Sequence, residues 1–500
     1  MQSNIFVLGP VFAPLIGAVL TLVFRKNNTV QRYIALVAGI VAWLCGLAVL
    51  ATNIQTATPQ IYVMGGWRPP FGIVLVADML SALFVVMATT VVTGGLLYAV
   101  GCKDNSVTYP SFMELFLSMG AGMSGSLYTG DFFTLFVFLE LMVISSVCLV
   151  AISDNSLGLE AAIKYLLISA MGTLFLLLGI ASLYATFGTL NMAQIGQLLA
   201  TEQRPLLAQA SAAMLMSAFL LKSAVFPFHF WQPDFHTTAP TPVHAVLSSV
   251  VVKVGVYGII RMTTLMFTVE ADAIKSVVLV LGIIGIFFGS LGALRTYDAK
   301  RMLAYSTFGQ IGFILVAIGW GDPLTQPLAL AAAIIYAVNH SFVKSSLLML
   351  TGVVSSRTKT KTARLSEIGG VGHNMRLTGA LYMLGGLALA GIPPLNGFIS
   401  KLAIVQGGID AQGWLALGLA VGGGIITLIY MMRTWQLVFQ KKPDGKPDLK
   451  PYGDSTLAPL LLIGLCVILG LFAGPLVDVS TAAVSQLAEP EIYIAAVLGG

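Results

Sequence analysis

Charge is what this chain has least of. Only 9% of its 500 residues are Asp, Glu, Lys or Arg, against roughly a quarter in an average soluble domain. Mean hydropathy is +0.90, which excludes an ordinary soluble enzyme. Cysteine is sparse as well: Cys45, Cys102, Cys148 and Cys466 are scattered, with no CxxC and no histidine partner. That spacing argues against an iron–sulfur or zinc site and supplies no disulfide framework. No redox motif is visible, so no cofactor is expected, and no metal ligand set is assigned. The amino-terminal run MQSNIFVLGPVFAPLIGAVLTLVF lacks a basic start, and Arg25 and Lys26 follow it. It reads as a first transmembrane helix rather than a signal peptide.

Long apolar runs are what the chain has in their place. They fall at about 4–24, 33–52, 74–98, 111–129, 131–152, 162–187, 207–230, 241–265, 273–294, 302–320, 327–353, 377–405, 413–435 and 456–477. Each is long enough to cross a bilayer as a helix of about 20 residues. The expected fold is an all-α polytopic membrane protein with about 14 transmembrane helices. With the amino terminus outside, 18 of the 26 basic residues, from Arg25 and Lys26 to Lys446 and Lys450, fall in loops on the cytoplasmic side. Only Arg68, Arg204, Arg261 and Lys275 fall outside. Such a bias predicts a multi-pass membrane protein with both termini outside. Residues 440–454 read as a polar loop rich in Pro and Gly.

Four lysines remain, and all lie within apolar runs: Lys222, Lys253, Lys344 and Lys401. A lysine at the bilayer centre costs about 2.5–3.5 kcal/mol even on the lenient insertion scale, so such residues mark ion or proton paths. Glu140 is the carboxylate buried in a fifth run. Placed within about 4–6 Å, Glu140 and Lys222 stabilise each other, and separating them lowers the lysine's proton affinity. The pair is a gate on that reading, or a static ion pair that fixes helix packing. His340 and Lys344 are spaced i, i+4 and share one helix face. Lys253 follows His244 by nine residues, about 13 Å along a helix. His244 feeds protons inward from the cytoplasmic side, or is a satisfied interfacial histidine. His229 and His236 flank the short connection between runs seven and eight and are expected at the cytoplasmic interface. Lys401 is expected to end the series towards the outer aqueous side. Asp78, Glu114 and Asp131 sit near helix ends, where capping explains them.

Two segments resemble each other: AAIKYLLISAMGTLFLLLG from Ala161 and AAIIYAVNHSFVKSSLLMLTG from Ala332. Each precedes a run broken by proline, at Pro227 and at Pro393–Pro394. A proline frees backbone carbonyls that the membrane tolerates only beside protein or water. Five helices separate the copies, so they have opposite orientations, an arrangement known from transporters with sites near the midplane. The expected organisation is an N-terminal three-helix segment (1–110), a first inverted repeat of five helices (111–265), and a second (266–440). A cytoplasmic loop and last helix (441–500) complete it. Each repeat contains a broken helix.

The stretches GDFFTLFVFLELM, LKSAVFPFHFWQPDFHTTAPTPVHAVLSSVVVKVGVYGIIR, DAKRMLAYSTFGQIG, NHSFVKSSLLMLTG and GIPPLNGFISK together resemble the antiporter-like membrane subunits. These are found in NADH:quinone oxidoreductase (complex I), membrane-bound hydrogenases and Mrp-type cation/proton antiporters. The resemblance spans essentially the whole chain and is greatest to the D-type subunits of Mrp antiporters. A lysine stands at 401, where the complex I subunit of similar length usually has glutamate. The resemblance implies a proton-translocating subunit of a multisubunit Na+/H+ antiporter, a transporter rather than an enzyme. It implies that the working residues are Glu140, Lys222, Lys253 and Lys401, with His244, His340 and Lys344 relaying protons. Other membrane subunits, protons, sodium and lipid are the expected partners, and nucleic acid is not. The rivals are the same module in a redox complex, and an assembly subunit whose lysines are inert.

Overall fold

The computed structural model describes residues 3–201, 205–359, 361–442, 450 and 453–499. Arg204, Lys446 and most of the polar loop at 440–454 lie outside the described residues.

The apolar runs become helices, and many begin at a side-chain cap. Two helices open the chain, α1 (Ile5–Val23) and α2 (Asn28–Thr56). A small antiparallel hairpin, β1 (Gln60–Val63) with β2 (Val74–Ala77), follows. Next come α3 (Met79–Val100), α4 (Phe112–Tyr128), α5 (Phe132–Ala151), α6 (Ser156–Phe187) and the short α7 (Met192–Thr201). Asn27, Asp78, Asp131 and Asn155 each accept the backbone N–H three residues on, at the starts of α2, α3, α5 and α6. These caps satisfy otherwise orphaned donors, and they account for Asp78 and Asp131 as expected. Glu114 lies in the first turn of α4, where a carboxylate suits the helix dipole.

The seventh run is not one helix. α8 (Leu206–Lys222) ends inside it, Pro227 lies in the interval that follows, and α9 (Trp231–Thr238) begins just past its end. Beyond it lie α10 (Thr241–Met266), α11 (Ala271–Arg295), α12 (Ala299–Trp320) and α13 (Pro327–Ser355). The twelfth run divides in the same way, into α14 (Arg376–Ala390) and α15 (Asn396–Asp410) around Pro393 and Pro394. The helices are thus interrupted at Pro227 and at Pro393–Pro394, as expected from the prolines.

The chain closes with α16 (Trp414–Gln440), α17 (Leu457–Leu471), α18 (Gly474–Ala488) and α19 (Pro490–Leu498). Here the structure differs from the single last helix expected. α17 and α18 meet at a 78° bend, and α19 adds a further short helix. Gly474 and two prolines, Pro475 and Pro490, start α18 and α19, the first-turn position that proline favours. The sequence pattern does not register α7, α18 and α19, because they are too short or too polar to stand out as spans.

Ten of the described helices are long and apolar enough to cross a membrane singly. The remaining four expected runs are the 17-residue α4 and the three broken ones. α10 and α13 are buried along nearly their whole length, whereas α1, α2, α6, α11 and α16 turn large apolar side chains outward. Ile16, Val37, Leu167, Val280 and Ile425 are examples of that exposed girdle. An apolar exterior around a core that contains lysines is the inverse of a soluble protein, and it suits a hydrocarbon surround.

Candidate proton path

Lys222 is the last residue of α8, where the break begins. Its Nζ lies 3.7 Å from Oε1 of Glu140 on α5. Thr173 on α6 stands between them: its hydroxyl donates to Glu140 in a very short hydrogen bond and lies 3.4 Å from the lysine Nζ. The Ser169 carbonyl is a further acceptor at 3.4 Å. Lys222 is buried, while Glu140 keeps 25% of its side chain exposed. The carboxylate is therefore the edge of the pair, on a flank where Phe133, Val137 and Ile144 are also exposed. The structure brings together the two residues that the sequence paired.

Lys253 lies at the centre of the protein on α10 and is fully buried. The turn before it, Leu247–Val251, is π-helical, a distortion frequent at functional sites. The wider turn offers the Ser248 carbonyl to the ammonium at 3.3 Å. The second partner is Nδ1 of His340 on α13, at 2.7 Å. Among the described residues no carboxylate pairs with it, so an ammonium here rests on one imidazole and one carbonyl. One turn along α13, Lys344 is also fully buried. Its Nζ donates to Ser306 Oγ at 2.7 Å and to the Leu303 carbonyl at 3.2 Å, both on α12. Ser306 Oγ then meets the Tyr430 hydroxyl of α16 at 2.8 Å. His340 thus stands between two lysines, in contact with one and about 6 Å along the axis from the other.

Lys401 is held by the second break. α14 ends at Ala390, and that terminal carbonyl, one of those a helix end leaves unpaired, accepts from Lys401 Nζ at 2.7 Å. Gly391 follows with φ +86, and a Cβ there would lie 2.5 Å from Lys401 Cδ. Glycine is needed twice over, for the left-handed turn and for the lysine's passage. The ring of Phe313 faces the ammonium at 5.2 Å. Asn396 and Asn339 exchange contacts at 3.1 and 3.2 Å, and Asn339 also reaches Ser400 at 2.9 Å, so the break is fastened to α13. Lys401 opens into a cavity of about 310 Å³ lined by Phe313, Leu417, Val421 and Ile425. Val421 and Ile425 are exposed on the apolar flank of α16. The cavity therefore borders the exposed apolar flank of α16.

His244 is fully buried, and its Nδ1 lies 3.1 Å from the His236 carbonyl. It makes no contact with Lys253, nine residues further along α10. His236 was expected at the interface, yet it is fully buried, with its ring 6.1 Å from that of His244. His229 is buried too, stacked 4.3 Å from Phe308. The α9 helix packs against α6 and α12 with most of its residues buried, a tertiary event that a run-by-run reading does not register.

Three more bases are inside. Arg261, counted from sequence among outer loop charges, belongs to α10 and pairs with Asp78 at 2.6 Å. Lys275 pairs with Asp322 at 2.6 Å, and Lys300 is buried in the first turn of α12. The four intramembrane lysines are not the only buried bases, but Arg261 and Lys275 have carboxylate partners of their own. Thr173, Ser306 and Tyr430 do not stand out in the sequence. Their only signal is hydroxyl groups scattered through apolar helices, which ordinary helix packing explains equally well. Among the described residues no group of three or more His, Cys, Asp or Glu is arranged to hold a metal ion.

Comparison with known proteins identifies relatives along the whole chain. Residues 129–427 match the family described as NADH:quinone oxidoreductase/Mrp antiporter, TM. The chain is 30% identical to the D subunit of the Na+/H+ antiporter of Alkalihalophilus pseudofirmus, over 99% of this chain and 100% of that one. It is 32% identical to the N subunit of the NADH-quinone oxidoreductase of Desulforudis audaxviator, over 94% and 96%. Among solved structures, a chain of the archaeal membrane-bound sulfane sulfur reductase matches with a TM-score of 0.90 at 28% identity. A chain of the Mrp complex from a Dietzia species matches at 0.89 and 25% identity. Each structural match covers 99% of this chain and 100% of the other. The chain is a multi-pass membrane protein that belongs to the NADH:quinone oxidoreductase/Mrp antiporter transmembrane family.

Proposed function

We propose that this chain is the proton-translocating subunit of a multisubunit Na+/H+ antiporter. The observation that carries the proposal is the fully buried contact between Lys253 and His340, with Lys344 one turn beyond. Two bases in contact can share one proton but not two at low cost, since like charges disfavour each other's charged form. A proton arriving at one site therefore drives a proton off the other. In this reading protons reach the centre from His244, pass between Lys253, His340 and Lys344, and leave by Lys401. Glu140 and Lys222 sense the charge of that row and couple it to a neighbouring subunit. The amino and carboxyl termini lie outside a prokaryotic inner membrane, following the charge bias of the loops. The two inverted repeats, 111–265 and 266–440, each supply one broken helix.

The full-length similarity to the Na+/H+ antiporter relatives supports the antiporter reading. The similarity to an NADH-quinone oxidoreductase subunit and to a sulfane sulfur reductase chain supports a second one: the same proton module attached to a redox machine. Proteoliposomes containing the purified complex distinguish them. A sodium gradient moves protons without any electron donor if the first reading holds. Lys222→Ala then abolishes the movement while the complex stays assembled. Normal antiport by Lys222→Ala removes the coupling role, and proton movement that needs a reductant favours the second reading.

A further inference from the structure

Where α11 ends and α12 begins, the helices part around a cavity of about 770 Å³. Arg295, Arg301 and Arg364 line it, with the hydroxyl-bearing Tyr297, Tyr305 and Ser366. One carboxylate, Asp298, is also on the wall, and its Oδ1 accepts from the Arg301 backbone N–H at 2.9 Å, capping α12. Arg301 has a partner in Asp234 at 3.4 Å. The side chains of Arg295 and Arg364 make no ion pair or hydrogen bond with the described residues. A fourth guanidinium, that of Arg433, stacks 4.8 Å above the Tyr297 ring and donates to the Leu294 carbonyl. Positive charge thus exceeds negative charge around the cavity.

The remaining wall is apolar. Phe288 and Leu291 line it, and both are exposed. They precede Arg295 by seven and four residues, so all three share one face of α11. The same face continues away from the cavity through Val277, Val280 and Ile284, also exposed. From Val277 to Leu291 the stripe runs about 21 Å at 1.5 Å per residue, longer than the ~15 Å depth of one leaflet's hydrocarbon. A water-soluble anion has no use for such a stripe. A molecule with a phosphate at one end and a long acyl chain at the other fits both features.

We propose that this cavity seats the phosphate headgroup of an anionic phospholipid, with an acyl chain laid along the exposed face of α11. Arg295 and Arg364, which have no ion pair among the described residues, hold the phosphate by charge-assisted hydrogen bonds, and basic pockets between transmembrane helices are suited to anionic headgroups. The site is distinct from the row of buried lysines and predicts that lipid charge is recognised at a defined place.

The test uses the intact purified complex in detergent and a photoactivatable phosphatidylglycerol, with crosslinks mapped by peptide mass spectrometry. Crosslinks are expected within residues 288–305, and phosphatidylcholine of the same chains should compete poorly. The double variant Arg295→Gln, Arg364→Gln should weaken labelling at least about tenfold. The Arg295→Lys, Arg364→Lys variant should largely keep it. Leu291→Glu, which leaves all the arginines in place, should weaken it as well. Unchanged labelling in the double Gln variant overturns the site, as does equal competition by phosphatidylcholine. Displacement by equimolar inorganic phosphate also overturns it, in favour of a free-anion site.

Discussion

Lys253 and His340 share a hydrogen bond of 2.7 Å between Nζ and Nδ1 across the boundary of α10 and α13, with both side chains buried. A bond of that length requires that one partner donate and the other accept. Either partner can hold the shared proton, and the lysine's other acceptor, the Ser248 carbonyl, belongs to the π-helical turn at Leu247–Val251.

Replacing His340 by Gln keeps a polar group of similar size but removes a site that can carry the proton. Proton flux through the reconstituted complex should fall by about 10²-fold or more, the range in which loss of a positioned acid–base group is felt. Assembly, read by co-purification of the other subunits, should be unchanged. Flux near the wild-type rate would move the path away from this histidine.

Thr173 touches both members of the outer pair. Thr173→Val keeps the shape and loses the hydroxyl, leaving a charged acceptor short of one bond. A loss of about 1.5 kcal/mol corresponds to roughly tenfold in rate if it falls on the transfer step. Thr173→Ser should restore the rate. If Val and Ser variants behave alike, the hydroxyl has no part in coupling Glu140 to Lys222.

Asp78 and Arg261 lock the end of α10 to the cap of α3, with the ring of Tyr493 on α19 stacked 4.9 Å from the guanidinium. Removing one partner of a buried pair typically costs about 3–5 kcal/mol, whereas replacing both by apolar groups is often neutral. Asp78→Asn should lower the thermal midpoint of the purified complex, and Asp78→Leu with Arg261→Met should recover much of the loss. Antiport per assembled complex should stay close to wild type in Asp78→Asn. A selective loss of transport at unchanged stability would instead put the pair on the ion path.

Gly391 is where backbone and site meet. Gly391→Ala puts a methyl group against the Lys401 side chain and strains a left-handed turn. Transport should fall well below that of Gly418→Ala, whose added Cβ meets nothing within 4 Å. Equal activities in vesicles would mean that the seat of Lys401 does not matter to transport.

Much of this was legible in the chain itself. The lysines stood out because water-loving groups are costly in an apolar run, and the proline breaks because they remove hydrogen bonds in place. The pairing of Glu140 with Lys222 was suggested by their opposite charges in apolar runs and implied by the family resemblance, and that of His340 with Lys344 on one face needed only helical period. What the sequence did not reveal depends on how the breaks fold. The packing of α9 against α6 and α12 buries His236, and the bend after α17 lets α18 pack against α3 and α13, with α19 against α7. Arg261 and Lys275 looked like loop charges because they stand at the ends of apolar runs, and their carboxylate partners lie far away in sequence. Hydroxyl groups such as Thr173 and Ser306 acquire meaning only when a lysine from another helix arrives beside them.

Whether protons cross through the row of buried lysines is tested by sodium-driven proton movement in proteoliposomes made from intact complexes carrying Lys253→Met. That substitution is of similar length and cannot hold a proton. Movement should fall to the level of empty liposomes while subunit composition and thermal midpoint stay near those of wild type. Antiport at the wild-type rate in that variant would contradict a path through Lys253.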